Sequence, residues 1–159
     1  MAYVLQAVIA GEELLRAASR NIPGARVAPL GQGLSLLPMT DEVFDTVTDG
    51  SAPGSLGFWR LPGAFDETLA EWSAAGPVAY VEAEYFGGVG EQRAAVWVDG
   101  ALALGPLEEP PTMELSAISQ ALRRLGATSG PGQDEFTAVG LDRHRHHDGW
   151  LSASRSPSS

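Results

Sequence analysis

The chain has 159 residues, about the size of one domain, and sets twenty acidic side chains against ten basic ones for a formal net charge of -10. It contains no cysteine, which excludes disulfides, zinc–thiolate centres and thiol nucleophiles and fits a reducing compartment. No apolar run approaches the roughly 20 residues that span a bilayer, and the opening MAYVLQAVIAGEELL lacks the basic n-region of a secretion signal. The expectation is therefore a cytoplasmic protein with no membrane span. Its acidic field repels nucleic acid and anionic membranes and attracts basic partners, although the same charge also serves solubility. All ten basic residues are arginine.

In chain order, YVLQAVI (3–9) is β-branched and apolar and predicts a strand. GEELLRAASRNIPG predicts a helix with Leu14, Leu15, Ala18 and Ile22 near one face, stopped at Pro23-Gly24. Glu12 and Glu13 in its first turn, followed by Arg16 and Arg20, complement the helix dipole. ARVAPL and LSLLPM flank Gly31-Gln32-Gly33 as a hairpin, and Pro29 and Pro38 push both strands toward a sheet edge. Thr40 is a good N-cap for DEVFDTVTD, with Val43, Phe44 and Val47 turned inward and Asp41, Glu42, Asp45 and Asp49 outward. This is the densest acidic stretch, with no basic residue from 31 to 50. GSAPGS is a loop by composition.

AFDETLAEWSAAG predicts a helix carrying Phe65, Leu69 and Trp72 on one side and ending at Gly76-Pro77. VAYVEAEYFGGVGEQRAAVWV follows as a hairpin, and Asp99-Gly100 turns it into a third strand, ALALGPL, so residues 78–106 read as an antiparallel meander. Leu115, Ile118, Leu122 and Leu125 recur at helical spacing, with Gly126 as a C-cap. DEFTAVGL predicts a last short strand, and SASRSPSS (152–159) predicts a disordered tail. The expected fold is α+β: one domain over residues 1–151, with a mostly antiparallel sheet of about five to seven strands and three or four helices on one face. Its expected core is Val4, Val8, Leu14, Leu36, Phe44, Leu69, Val81, Val96, Ile118 and Leu122.

The hairpin is the most informative segment. A four-residue loop at Gly87–Gly90 pairs Glu84 with Arg93 and Tyr80 with Trp97. Ala79, Val81, Ala83, Ala94, Val96 and Val98 then form an apolar core face. The opposite face carries Tyr80, Glu82, Glu84, Phe86, Arg93 and Trp97, and is expected to be half exposed. It reads either as an ordinary charged outer surface or as a binding patch, with Tyr80 and Trp97 as anchors and Glu82 and Glu84 receiving cations. Asp41, Glu42 and Asp45 form a second candidate patch. The same carboxylate face also reads as the floor of a small enzyme's or small-molecule binder's pocket.

Other chemistries find less support. GGVGEQ matches neither a dinucleotide fingerprint nor a P-loop, since no Lys-Ser/Thr follows it and a strand comes next. GSLGF lacks the spacing of a serine nucleophile elbow. His144, His146 and His147, with Asp142 and Asp148, hold enough ligand atoms for a metal, but at a spacing that splays them on either a helix or a strand. No cofactor and no dedicated metal site is expected, and no catalytic residue is assigned.

AYVEAEYFGGVGEQRAAVW, ISQALRRLG and DEFTAVGL resemble a family of small, stand-alone bacterial proteins without assigned activity. In size and charge the chain is similar to the immunity proteins that neutralise toxins in bacterial competition. That resemblance implies a non-catalytic inhibitor occluding a basic protein. A third reading is a structural accessory subunit, which predicts an obligate homo-oligomer or hetero-oligomer.

Overall fold

The computed structural model describes residues 2–20, 22, 25–47, 65–86, 89–108, 117–128, 138–141 and 150. Ten elements follow in chain order: β1 (Ala2–Gly11), α1 (Glu12–Ser19), β2 (Ala28–Pro29), β3 (Leu34–Pro38), α2 (Asp41–Val47), α3 (Phe65–Trp72), β4 (Val78–Phe86), β5 (Val89–Val98), β6 (Ala101–Glu108) and α4 (Ala117–Arg124). The six strands form one sheet in the order β2-β3-β1-β4-β5-β6, antiparallel at every pairing. This is the α+β architecture read from the sequence.

β1 is apolar almost throughout because it lies inside the sheet, between β3 and β4, with neighbours on both edges and both faces. Residues Leu5 to Ala10 are all buried. Fully burying one such Leu or Ile side chain is worth about 1.5–3 kcal/mol. β1 passes into α1 at Gly11, which offers no capping side chain; the Glu12 N–H instead donates to Gly33 O at 3.1 Å, so the turn before β3 supports the helix start. Thr40 does cap α2, its Oγ1 accepting from the Val43 N–H at 3.3 Å. In α3 the i, i+7 pair Phe65 and Trp72 meets edge to face, with ring centroids 5.6 Å apart.

The helices are divided between the two faces, where one covered face was expected. α4 lies chiefly over β5, its Ile118, Ala121 and Leu122 closing a core with Leu5, Val81 and Val96. On the opposite face, Leu15 of α1, Val43 of α2, and Phe65 and Leu69 of α3 close a second core with Val8 and Tyr80. The reason is that alternate residues of the central strands are apolar on both sides: Ala79, Val81 and Ala83 point one way, and Val78, Tyr80 and the facing Ala95 point the other. Seven of the ten expected core residues are buried; Val4, Leu14 and Phe44 are half-buried at the margins.

The hairpin register also differs from expectation. Phe86 opposes Val89, so only two residues separate β4 from β5, and Glu82 faces Arg93 while Glu84 faces Glu91. The shift is by two residues, which preserves side-chain parity: the faces are as read and the partners are not. Tyr80 opposes Ala95, and Trp97 opposes Val78. The expected last strand at 134–141 is not seen in its described part, where 138–141 take helix and turn conformations, Gly140 has φ 90°, and Val139 and Leu141 are buried. Residues 48–64, the histidine cluster at 144–147 and the tail at 152–159 lie outside the described residues.

Candidate functional site

A polar row crosses the middle of the sheet on the α1–α3 side. Gln6 of β1 faces Glu82 of β4, and Glu82 faces Arg93 of β5. The register continues from Arg93 to Glu108 of β6. Glu82 has no exposure and Gln6 has 9%. Tyr80, on the same face of β4 and equally buried, donates its phenolic O–H to Glu82 Oε2 at 2.9 Å. One row further out, Val4, Glu84 and Glu91 are in register, with Glu84 half-buried.

This arrangement corrects the expectation of a half-exposed binding patch. Tyr80 and Glu82 are fully enclosed and Trp97 keeps only 3% exposure, because the face that carries them is the floor of the second core. Neither aromatic is available as a surface anchor. A buried carboxylate is tolerated where hydrogen-bond donors and a counter-charge replace water. The Tyr80 phenol supplies a donor, and Arg93 stands directly across the strand. Gln6, whose register position completes the row, drew no notice in the sequence: it is one amide in an apolar strand, and its pairing with Glu82 joins residues 76 positions apart.

The second candidate patch fares differently. Asp45 is exposed on α2, where Asp41 and Glu42 occupy the first turn. Glu67 and Glu71, exposed at i, i+4 on α3, extend the same polarity, as do exposed Glu12 and Glu13 on α1. Neither α2 nor α3 contains a basic residue, and on α1 Arg16 is tied to Glu12 through Nε–Oε1 at 3.0 Å. That α1, α2 and α3 all pack on the same core of the sheet has no signature in the sequence. The opposite side of the sheet carries exposed Arg123 and Arg124 at the end of α4. Among the described residues, α2 and α3 thus carry acidic side chains and no basic ones and the end of α4 carries two arginines, while α1 is mixed, with exposed Arg20 at its C-cap.

Among the described residues, no group of three or more His, Asp or Glu side chains is arranged to hold a metal ion, and no helix is long and apolar enough to cross a membrane. Comparison with protein-family models, with curated proteins and with solved structures finds no match to this chain.

Proposed function

We propose that this protein is a non-catalytic binding protein that seats a basic protein partner on the acidic outer surface of α1, α2 and α3. The observation that carries the reading is the one-sided charge of that layer: Asp45, Glu67 and Glu71 are exposed, and neither α2 nor α3 offers a cation. Long-range attraction would steer a basic protein onto such a surface and make the encounter salt-dependent. An immunity-type inhibitor, occluding the basic cleft of a toxin, is the specific form of this reading that size and charge favour.

The experiment is affinity capture from the protein's own cells at low and then high salt, run in parallel on the wild type and on an Asp45→Lys/Glu67→Lys/Glu71→Lys variant. A basic protein held by the wild type, released by salt and missing from the variant supports the proposal. Equal retention of the same protein by both removes α2 and α3 from the interface.

A further inference from the structure

An open cleft of about 540 Å³ lies at the end of the sheet, where β1 finishes and β3 and β4 begin. This volume is within the roughly 300–1,000 Å³ of ordinary ligand clefts. Its apolar wall is Leu14 of α1, Leu34 of β3, Pro77 ahead of β4, and Leu125 just past α4. Leu14, Pro77 and Leu125 are only half-buried, so among the described residues the sheet end is left partly uncovered here. Three glycines, Gly11, Gly33 and Gly76, keep backbone rather than side chain along the opening. A Cβ at Gly11 or Gly33 would meet nothing within 4 Å.

The charged groups on the lining are Glu12 and Glu13, and no cation lines the cleft among the described residues. Glu12 is engaged by Arg16, whereas Glu13 is exposed and has no ion pair among the described residues. An apolar slot with an uncompensated carboxylate at its lip is complementary to a cation joined to an apolar side chain. Neither a free metal ion nor an acidic peptide fits both features. The opening is also continuous with the acidic layer, because Glu12 and Glu13 begin α1.

We propose that this cleft is the anchor point for an extended basic segment of a protein partner, taking one aliphatic side chain between Leu14, Leu34, Pro77 and Leu125 while a flanking lysine or arginine meets Glu13. The inference rests on the reading of the protein as a binder of a basic partner, and locates where that partner's chain enters.

The test uses a fluorescein-labelled hexapeptide of alternating lysine and leucine, a serine-for-leucine version of equal charge, and the full-length protein. Gly11 has φ -57° and ψ 145°, a backbone conformation open to any residue, so Gly11→Trp fills the cleft without strain, and Gly11→Ser serves as the folded control that leaves it open. Saturable binding by polarisation is expected for the lysine–leucine peptide, about tenfold weaker for the serine peptide, for Gly11→Trp and for Glu13→Lys, and unchanged for Gly11→Ser. In the wild type the amide resonances of Gly11, Gly33 and Gly76 should shift with peptide. Absence of binding, or binding that is indifferent to leucine and to Gly11→Trp, overturns the cleft proposal. If the peptide binds indifferently to the cleft variants but is lost from the Asp45/Glu67/Glu71 lysine variant, the acidic-layer reading stands and the cleft alone fails.

Discussion

Tyr80 and Glu82 sit on one face of β4 with no exposure at either residue, and the Tyr80 phenol donates to Glu82 Oε2 at 2.9 Å. The bond lies under α1, α2 and α3, where water cannot replace it. Tyr80→Phe removes the donor and leaves the buried carboxylate with one partner fewer. Equilibrium urea unfolding should show a loss of about 1–3 kcal/mol. A double-mutant cycle with Glu82→Leu should give non-additive losses, since each change removes the same bond. Additive losses would mean that the bond carries no weight of its own.

The turn from β5 to β6 is held from two sides. Asp99 and Gly100 have φ of 53° and 83°, the left-handed pair of a type I′ hairpin turn. A Cβ at Gly100 would come no closer than 4.0 Å to Ala70 O, so the penalty for Gly100→Ala is conformational rather than steric. It should cost about 1 kcal/mol or slightly more, whereas Asp99→Asn should be near neutral, because Asn also tolerates this conformation.

Ser73 ties that turn to the end of α3. Its Oγ accepts from the Gly100 N–H at 2.8 Å and donates to Ala70 O at 2.5 Å, with the residue 1% exposed. Ser73→Ala leaves a backbone donor of the turn without its side-chain partner. The expected loss is about 1–2 kcal/mol, with faster hydrogen exchange confined to Gly100 and the adjacent ends of β5 and β6. Uniform acceleration across the sheet would instead point to global destabilisation.

Of α1 to α4, only α4 packs on the Val81–Val96 face, so its anchor should be sensitive. Leu122 is fully buried there, and Leu122→Ala should cost about 2–5 kcal/mol by calorimetry or denaturant unfolding. Glu67→Gln, at an exposed position on α3, should change stability by less than about 0.5 kcal/mol.

For the proposed partner, charge reversal of Asp45, Glu67 and Glu71 should act on the association rate. A decrease of about tenfold or more at low ionic strength, with a shallower dependence on salt, is the expected stopped-flow result. An unchanged association rate with faster dissociation would place these residues in short-range contact instead of steering. Charge reversal at Glu82 tests something else: it sets a second cation opposite Arg93 inside the protein, and its first effect should be on folding.

Much of the architecture was legible in the chain. β1, the 78–106 meander, the Thr40 cap of α2, the Phe65–Leu69–Trp72 side of α3 and the apolar stripe of α4 all follow from alternation, helical spacing and turn chemistry, which act over a few residues. The parity of the hairpin faces was legible too, because side-chain alternation survives a two-residue error in register. What the sequence by itself determined, then, was most of the elements, though not the 138–141 segment, which side chains share a face, and the excess of acidic over basic residues.

Only the tertiary structure decided which of those faces meets water. Tyr80, Glu82 and Trp97 look like an exposed amphipathic surface along one strand, yet they become a core floor once α1 and α3 are laid over them. The hairpin partners of Glu82 and Glu84 depended on whether two or four residues turn the chain, and the pairing of Gln6 with Glu82 depended on β1 lying beside β4. The convergence of Gly11, Gly33, Gly76 and Leu125 on one cleft has no local signature at all. Periodicity reports the side of an element on which a residue lies. Burial and contact depend on what lies against that side, which here comes from residues tens of positions away.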